Sequence, residues 1–335
     1  MASSMSHLWN KNIKSSLSIL MLCLGCISFS NSYSQSIGNL FQTAGSVSDF
    51  CYSEKRSELY IATDQGKIEC VDYNSFKIKY SLNFPTLIDF FGDSIQPMIH
   101  SIDIDPISGV LFCIVQGTDG FRDLYRVVSQ KKEKIISSID QKIMMVQIVA
   151  INDHECAFAT LGNELMRYDS QLKKFIYKTQ TGSSVFSKLS YDRIHQKVYI
   201  ADESGIIHIM DIKDGKKNRS ISKLHLDMVY SIDINNTHMV TGGKDQKFII
   251  KNLESDETII IPNPFPVYCV AINKSGSLAA FQADDNNSIR IIDCVKGTKI
   301  FDLNKHQLSL SKLKFIREDE LISAANDGIL IKWKL

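Results

Sequence analysis

IIHIMD at residues 206–211, KFIIKN at 247–252, SIRIID at 288–293 and ILIKWK at 329–334 are four versions of one strand. Their closing pairs, Met210-Asp211, Lys251-Asn252, Ile292-Asp293 and Trp333-Lys334, stand 41 residues apart. The series continues upstream with Tyr168-Asp169, 42 residues earlier, Tyr125-Arg126, a further 43, and Val71-Asp72, a further 54. Aliphatic, β-branched runs favour extended backbone. A period of about 40 to 45 residues built on such runs marks a four-stranded unit that buries its faces only by stacking on neighbours. Seven copies imply an all-β, seven-bladed β-propeller. Such a ring is a rigid scaffold with binding faces, and its function sits in sites grafted onto it.

The copies divide as 46–85, 98–140, 144–182, 184–226, 228–266, 267–305 and 308–335. Each opens with period-two alternation, as in Tyr230-Ser231-Ile232-Asp233-Ile234 and Lys312-Leu313-Lys314-Phe315-Ile316. Turn signals fall between strands at Lys274-Ser275-Gly276, Asp202-Glu203-Ser204-Gly205 and Asn326-Asp327-Gly328. The last copy holds only three strands. A three-stranded blade exposes an edge, so the spare segment from Ile37 to Gln42 is expected to supply the fourth and lock the ring.

These copies resemble the WD40 family, whose pattern is a His before the first strand, Ser or Thr in the second, Asp in the following turn and Trp in the third. His306, Ser323, Asp327 and Trp333 fill all four places. His225, Thr241 and Asp245 fill three in the fifth copy, with Lys251 where Trp is expected. The resemblance implies a structural hydrogen-bond tetrad. A His306–Asp327 acid–base pair is the alternative reading.

Residues 1–34 read as a secretory leader: Lys11 and Lys14, an apolar run from Leu17 to Ile27, then Ser32-Tyr33-Ser34 before Gln35. An uncleaved anchor, or lipidation at Cys26, would be the alternatives. Removing the leader takes two lysines from 38 basic residues and leaves 36 against 37 acidic ones. That balance argues against a nucleic-acid footprint, which needs a basic face, and no polybasic block suggests a membrane patch. Six cysteines remain, at 51, 70, 113, 156, 269 and 294, without CxxC spacing. Cys51 and Cys70, like Cys269 and Cys294, fall on the first and third strands of one blade. Two strand spacings exceed disulfide reach, so buried thiols are expected.

Departures from a repeat are where function concentrates. The first spacing carries about twelve extra residues, including Leu87-Ile88-Asp89-Phe90-Phe91-Gly92-Asp93. The second copy has an unusual turn, Gly117-Thr118-Asp119-Gly120-Phe121-Arg122-Asp123. Both should lie on one face. Asp89, Phe90, Phe91, Asp93, Phe121, Arg122 and Asp123 are the candidate partner patch, since Phe and Arg are enriched at interface cores. In the competing reading the phenylalanines cap the channel.

No Gly-rich phosphate loop, HExxH, GxSxG or paired metal cluster is present in the sequence. No catalytic, cofactor or metal residue is therefore assigned. Asp89-Phe90-Phe91-Gly92-Asp93, Gly120-Phe121-Arg122-Asp123-Leu124 and Asp202-Glu203-Ser204-Gly205-Ile206-Ile207-His208-Ile209 resemble the NapL family of periplasmic nitrate reductase accessory proteins, over most of the mature length. The resemblance implies a periplasmic, cofactor-free, non-catalytic scaffold that assists assembly or activity of that reductase by binding its components. A metal-dependent hydrolase or lactonase, and an envelope WD40 scaffold unrelated to nitrate, are the competing expectations.

Overall fold

The chain is a seven-bladed, essentially all-β propeller, seen in a computed structural model that describes residues 36–335. The leader read at 1–34 lies outside the described residues. Six four-stranded antiparallel sheets run in chain order: Val47–Asn83, Ile99–Ile136, Met145–Gln180, Phe186–Ile221, Val229–Pro262 and Val270–Leu303. Each boundary falls inside the blade read from the repeat.

The seventh sheet joins both ends of the described chain. Strands Leu310–Arg317, Glu320–Ala325 and Ile329–Lys334 take their fourth member from Ser36–Gln42. That strand pairs antiparallel with the last, Ile37 opposite Trp333 and Phe41 opposite Leu330. Thr43 extends the seam: its N–H reaches the Gly328 carbonyl at 2.9 Å and its Oγ1 the same oxygen at 3.0 Å. Gly328 has φ +78°, and a Cβ there would stand 2.5 Å from the Gly45 carbonyl oxygen. The turn at the closure therefore needs glycine.

Position within a blade sets strand composition. Second strands are covered on both faces by neighbouring blades, so Glu58–Thr63 and Glu155–Thr160 are buried throughout. Fourth strands form the rim, and Lys174–Gln180 and Thr258–Pro262 alternate between exposed and half-buried residues. The core is accordingly divided among seven apolar clusters, one at each junction between blades. Phe41 from the closing strand belongs to the cluster between blades seven and one, with Val47, Phe50 and Leu330.

All six cysteines of residues 36–335 are buried free thiols. Cys51 and Cys70 flank the intervening strand Glu58–Thr63, while Cys269 and Cys294 pack into different junctions. Burial pushes the Cys269 thiol up to about 12, which leaves it protonated and unreactive at neutral pH.

Candidate functional site

The insertion between blades one and two forms a small hairpin, Leu87–Ile88 against Ser94–Ile95. Its tip is organised by one carboxylate. Asp89 Oδ1 accepts the N–H groups of Phe91 and Asp93, each at 2.9 Å. Gly92 donates to the Asp89 carbonyl at 3.1 Å with φ +90°. This Asx-type turn raises two rings into solvent: Phe90 is 97% and Phe91 85% exposed. The rings meet edge to face with centroids 5.6 Å apart. Rings so exposed do not cap the channel, so that reading of them is set aside. Each leaves roughly 1.5–3 kcal/mol of burial free energy unused in the isolated chain.

The second irregular loop does not extend this exposed surface. It shares an end of blade two with the hairpin's root, since the Gln116 N–H reaches the Met98 carbonyl at 2.8 Å. Phe121 is half-buried and closes a tight turn, accepting from Gly117 N–H at 2.9 Å. Arg122 and Asp123 already belong to the third strand, Arg122–Val128, which is why they turn inward. The Arg122 guanidinium donates to the Met145 carbonyl on blade three. Asp123 is buried, accepting from Ser138 N–H at 2.7 Å and pairing with Lys134 at 2.6 Å. Of the seven residues expected to form one patch, the hairpin residues Asp89, Phe90, Phe91 and Asp93 stand together. Arg122 and Asp123 are engaged internally.

The tetrad positions are brought together unequally. In blade seven, His306 Nε2 lies 2.6 Å from Ser323 Oγ, which also accepts from Trp333 Nε1 at 2.7 Å. Asp327 does not complete the chain: its Oδ2 and His306 Nδ1 are both buried without a hydrogen-bond partner. Burial pulls the His306 imidazole down to about 4, although Asp327 opposes the shift. In blade five the missing link is the other one. His225 joins Asp245 at 2.7 Å to Thr241 at 2.8 Å, but Lys251 turns to Asp256 at 2.8 Å and does not reach Thr241. Each network ties a turn to its own blade.

A third assembly was not legible as a site in the sequence. In blades one to five and seven, the first strand carries a bulge that shifts its register against the second strand. The residue after the shift is Asp49, Ser101, Gln147, Lys188, Ser231 or Lys312. Cys269, whose carbonyl accepts from Gln282 N–H at 3.1 Å, holds the equivalent place in blade six. Five of these, Asp49, Gln147, Lys188, Ser231 and Lys312, line a central cavity of about 320 Å³.

Six of the seven ring members clamp their blade to the next. Asp49 Oδ2 accepts from Ser101 Oγ and Ile102 N–H, both at 2.9 Å. Ser101 Oγ accepts from Ile148 N–H at 3.3 Å. Gln147 exchanges two bonds with Leu189, at 2.8 and 2.9 Å. Ser231 accepts from Val270 N–H at 3.1 Å. Cys269 Sγ reaches the Leu310 carbonyl at 3.4 Å, and Lys312 closes the circle on Asp49 at 2.6 Å. One layer along, Arg193 pairs with Asp103 at 2.8 Å and Lys314 with Asp233 at 2.7 Å. The signal the sequence did carry is lysine in an inner strand, where apolar residues are expected. Among the described residues, no group of three or more His, Cys, Asp or Glu side chains is placed to hold a metal ion.

No family model matches the chain, and no curated protein matches it in sequence. Among solved structures it is similar to the β-propeller domain of Myceliophteria thermophila Cps50 (Swd1), with a TM-score of 0.73 at 12% identity. The match covers 90% of this chain and 100% of that one. At that identity the likeness establishes a WD40-type β-propeller fold and nothing of function.

Proposed function

We propose that the chain is a non-catalytic periplasmic scaffold that assists assembly or activity of the periplasmic nitrate reductase by binding one of its components. The observation that carries the binding role is the hairpin tip: a hydrogen-bonded turn on the propeller ring, presenting two phenylalanines to solvent. Aromatic side chains have only two rotatable bonds, lose little conformational entropy on binding and serve as interface anchors. Asp89 and Asp93 at the base of the tip supply the polar rim such an anchor needs. The reductase enters through the resemblance of this hairpin and of Gly120-Phe121-Arg122-Asp123-Leu124 to the accessory family, and the periplasm through the leader at 1–34.

The test is capture of periplasmic extract from nitrate-grown source cells on tagged mature chain, with bound proteins identified by mass spectrometry. Reductase subunits should be recovered by the native chain and lost with a Phe90→Ala/Phe91→Ala variant. Recovery unchanged by the variant would remove the hairpin from the account, and no reductase subunit in either eluate would remove the reductase. A metal-dependent hydrolase remains the enzyme alternative. Metal analysis of the purified mature chain separates them: stoichiometric calcium or zinc would favour the hydrolase.

A further inference from the structure

Lys188 is the ring member without a partner. Among the described residues its ammonium makes no hydrogen bond or ion pair, while the other six positions clamp the following blade. The nearby carboxylate cannot serve it. Asp49 is already engaged by Lys312, Ser101 and the Ile102 N–H. Asp103 and Asp233 are paired with Arg193 and Lys314. The cavity walls thus carry four cations, Lys188, Arg193, Lys312 and Lys314, against three carboxylates, Asp49, Asp103 and Asp233. The excess is one positive charge, and it resides on the unpaired group.

Lys188 is half-buried in the channel wall, and an unpaired ammonium there is costly because part of its solvation is lost without a compensating charge. Burial accordingly pulls the Lys188 ammonium below the ordinary lysine range; the Asp49 carboxylate opposes the shift and the Lys312 ammonium adds to it. A hydroxyl lies two residues along the same strand, on Ser190. Ser190 lines the same cavity. An unpaired ammonium and a hydroxyl on the wall of one channel complement a small acceptor with one negative charge.

We propose that the central channel is a binding site for a compact, singly charged anion, a small carboxylate or oxyanion, seated against Lys188 with Ser190 as a neutral donor. The cavity of about 320 Å³ is at the small end of ligand pockets and has room for such an anion together with ordered water. Bound there, the anion would supply the clamp between blades four and five that Lys188 leaves open. The site stands on the channel alone and is independent of the partner role of the hairpin.

The experiment uses the mature chain in a chloride-free zwitterionic buffer, with acetate, formate and monobasic phosphate as probes. Calorimetric titration should give one saturable site for at least one probe, and the melting temperature should rise with the logarithm of its concentration. Lys188→Met should weaken binding at least tenfold and abolish that rise. Without anion it should melt at or above the native chain, since it removes an unpaired charge from a channel that already carries an excess of cations. Lys188→Arg keeps the charge and should retain binding, which guards against a Met variant that folds poorly. No saturable binding of any probe to the native chain, or equal binding by Lys188→Met, would overturn the site.

Discussion

Deleting Ser36–Gln42 is expected to collapse the whole ring rather than trim one end. The segment contributes the outer strand of blade seven, paired from Ser36 opposite Lys334 to Gln42 opposite Ile329. Its loss uncovers the edge of Ile329–Lys334, a row of unpaired backbone groups that templates aggregation. It also removes Phe41, 8% exposed, from the junction of blades seven and one. Phe41→Ala alone should cost roughly 3–5 kcal/mol, the usual range for a buried phenylalanine. Because repeats hold one another through nearest-neighbour interfaces, opening one junction weakens a closed ring at both its new ends. Denaturant unfolding of a chain beginning at Thr43 should show a much lower midpoint or aggregation. A truncated chain with the native midpoint would show that the seventh blade is stable with three strands.

Acid should destabilise the fold well above the range in which carboxylates titrate. Burial depresses the His306 imidazole to about 4, against about 6.5 in an unfolded chain. A depressed histidine favours the neutral form in the folded state. Its stabilisation is whole above pH 6.5 and is lost progressively as pH falls from 6.5 towards 4. The difference of about 2.5 pKa units corresponds to roughly 3 kcal/mol for this one group. His100, also depressed to about 4 by burial with Arg122 nearby, acts in the same direction. His306→Gln tests the assignment, since an amide can still bond Ser323 but does not titrate. Its stability should fall less between pH 6.5 and 4.5 than that of the native chain. Parallel profiles would place the acid sensitivity elsewhere.

The ring was readable because its information is local and repeated. Each closing pair, each glycine turn and each alternating first strand states the same unit, and the spare segment at Ile37–Gln42 had one vacancy to fill. The Phe90–Phe91 hairpin was readable for the complementary reason: it is the largest departure from the repeat. Arg122 and Asp123 misled because the loop ends one residue before them, and a strand's first side chains face neighbours rather than solvent. The missing bond between His306 and Asp327 depends on ångström-scale placement that a four-residue pattern does not encode. The channel ring eluded sequence reading for a different reason. Its members lie about 40 to 50 residues apart, and only closure of seven strands around one axis makes Asp49, Lys188 and Lys312 neighbours. Lys188 stands out only once the partners of the other six are known.

The hairpin as an interface anchor is tested most directly by titrating purified mature nitrate reductase subunits with the mature chain and its Phe90→Ala/Phe91→Ala variant. Melting curves are recorded on the same samples. The native chain should bind one subunit saturably. The variant should lose at least about 2 kcal/mol, some thirtyfold in affinity, as expected for paired aromatic anchors, with its melting temperature unchanged because both rings already stand in solvent. Equal affinities for the two chains would contradict the anchor, and no binding of any subunit by the native chain would contradict the reductase role itself.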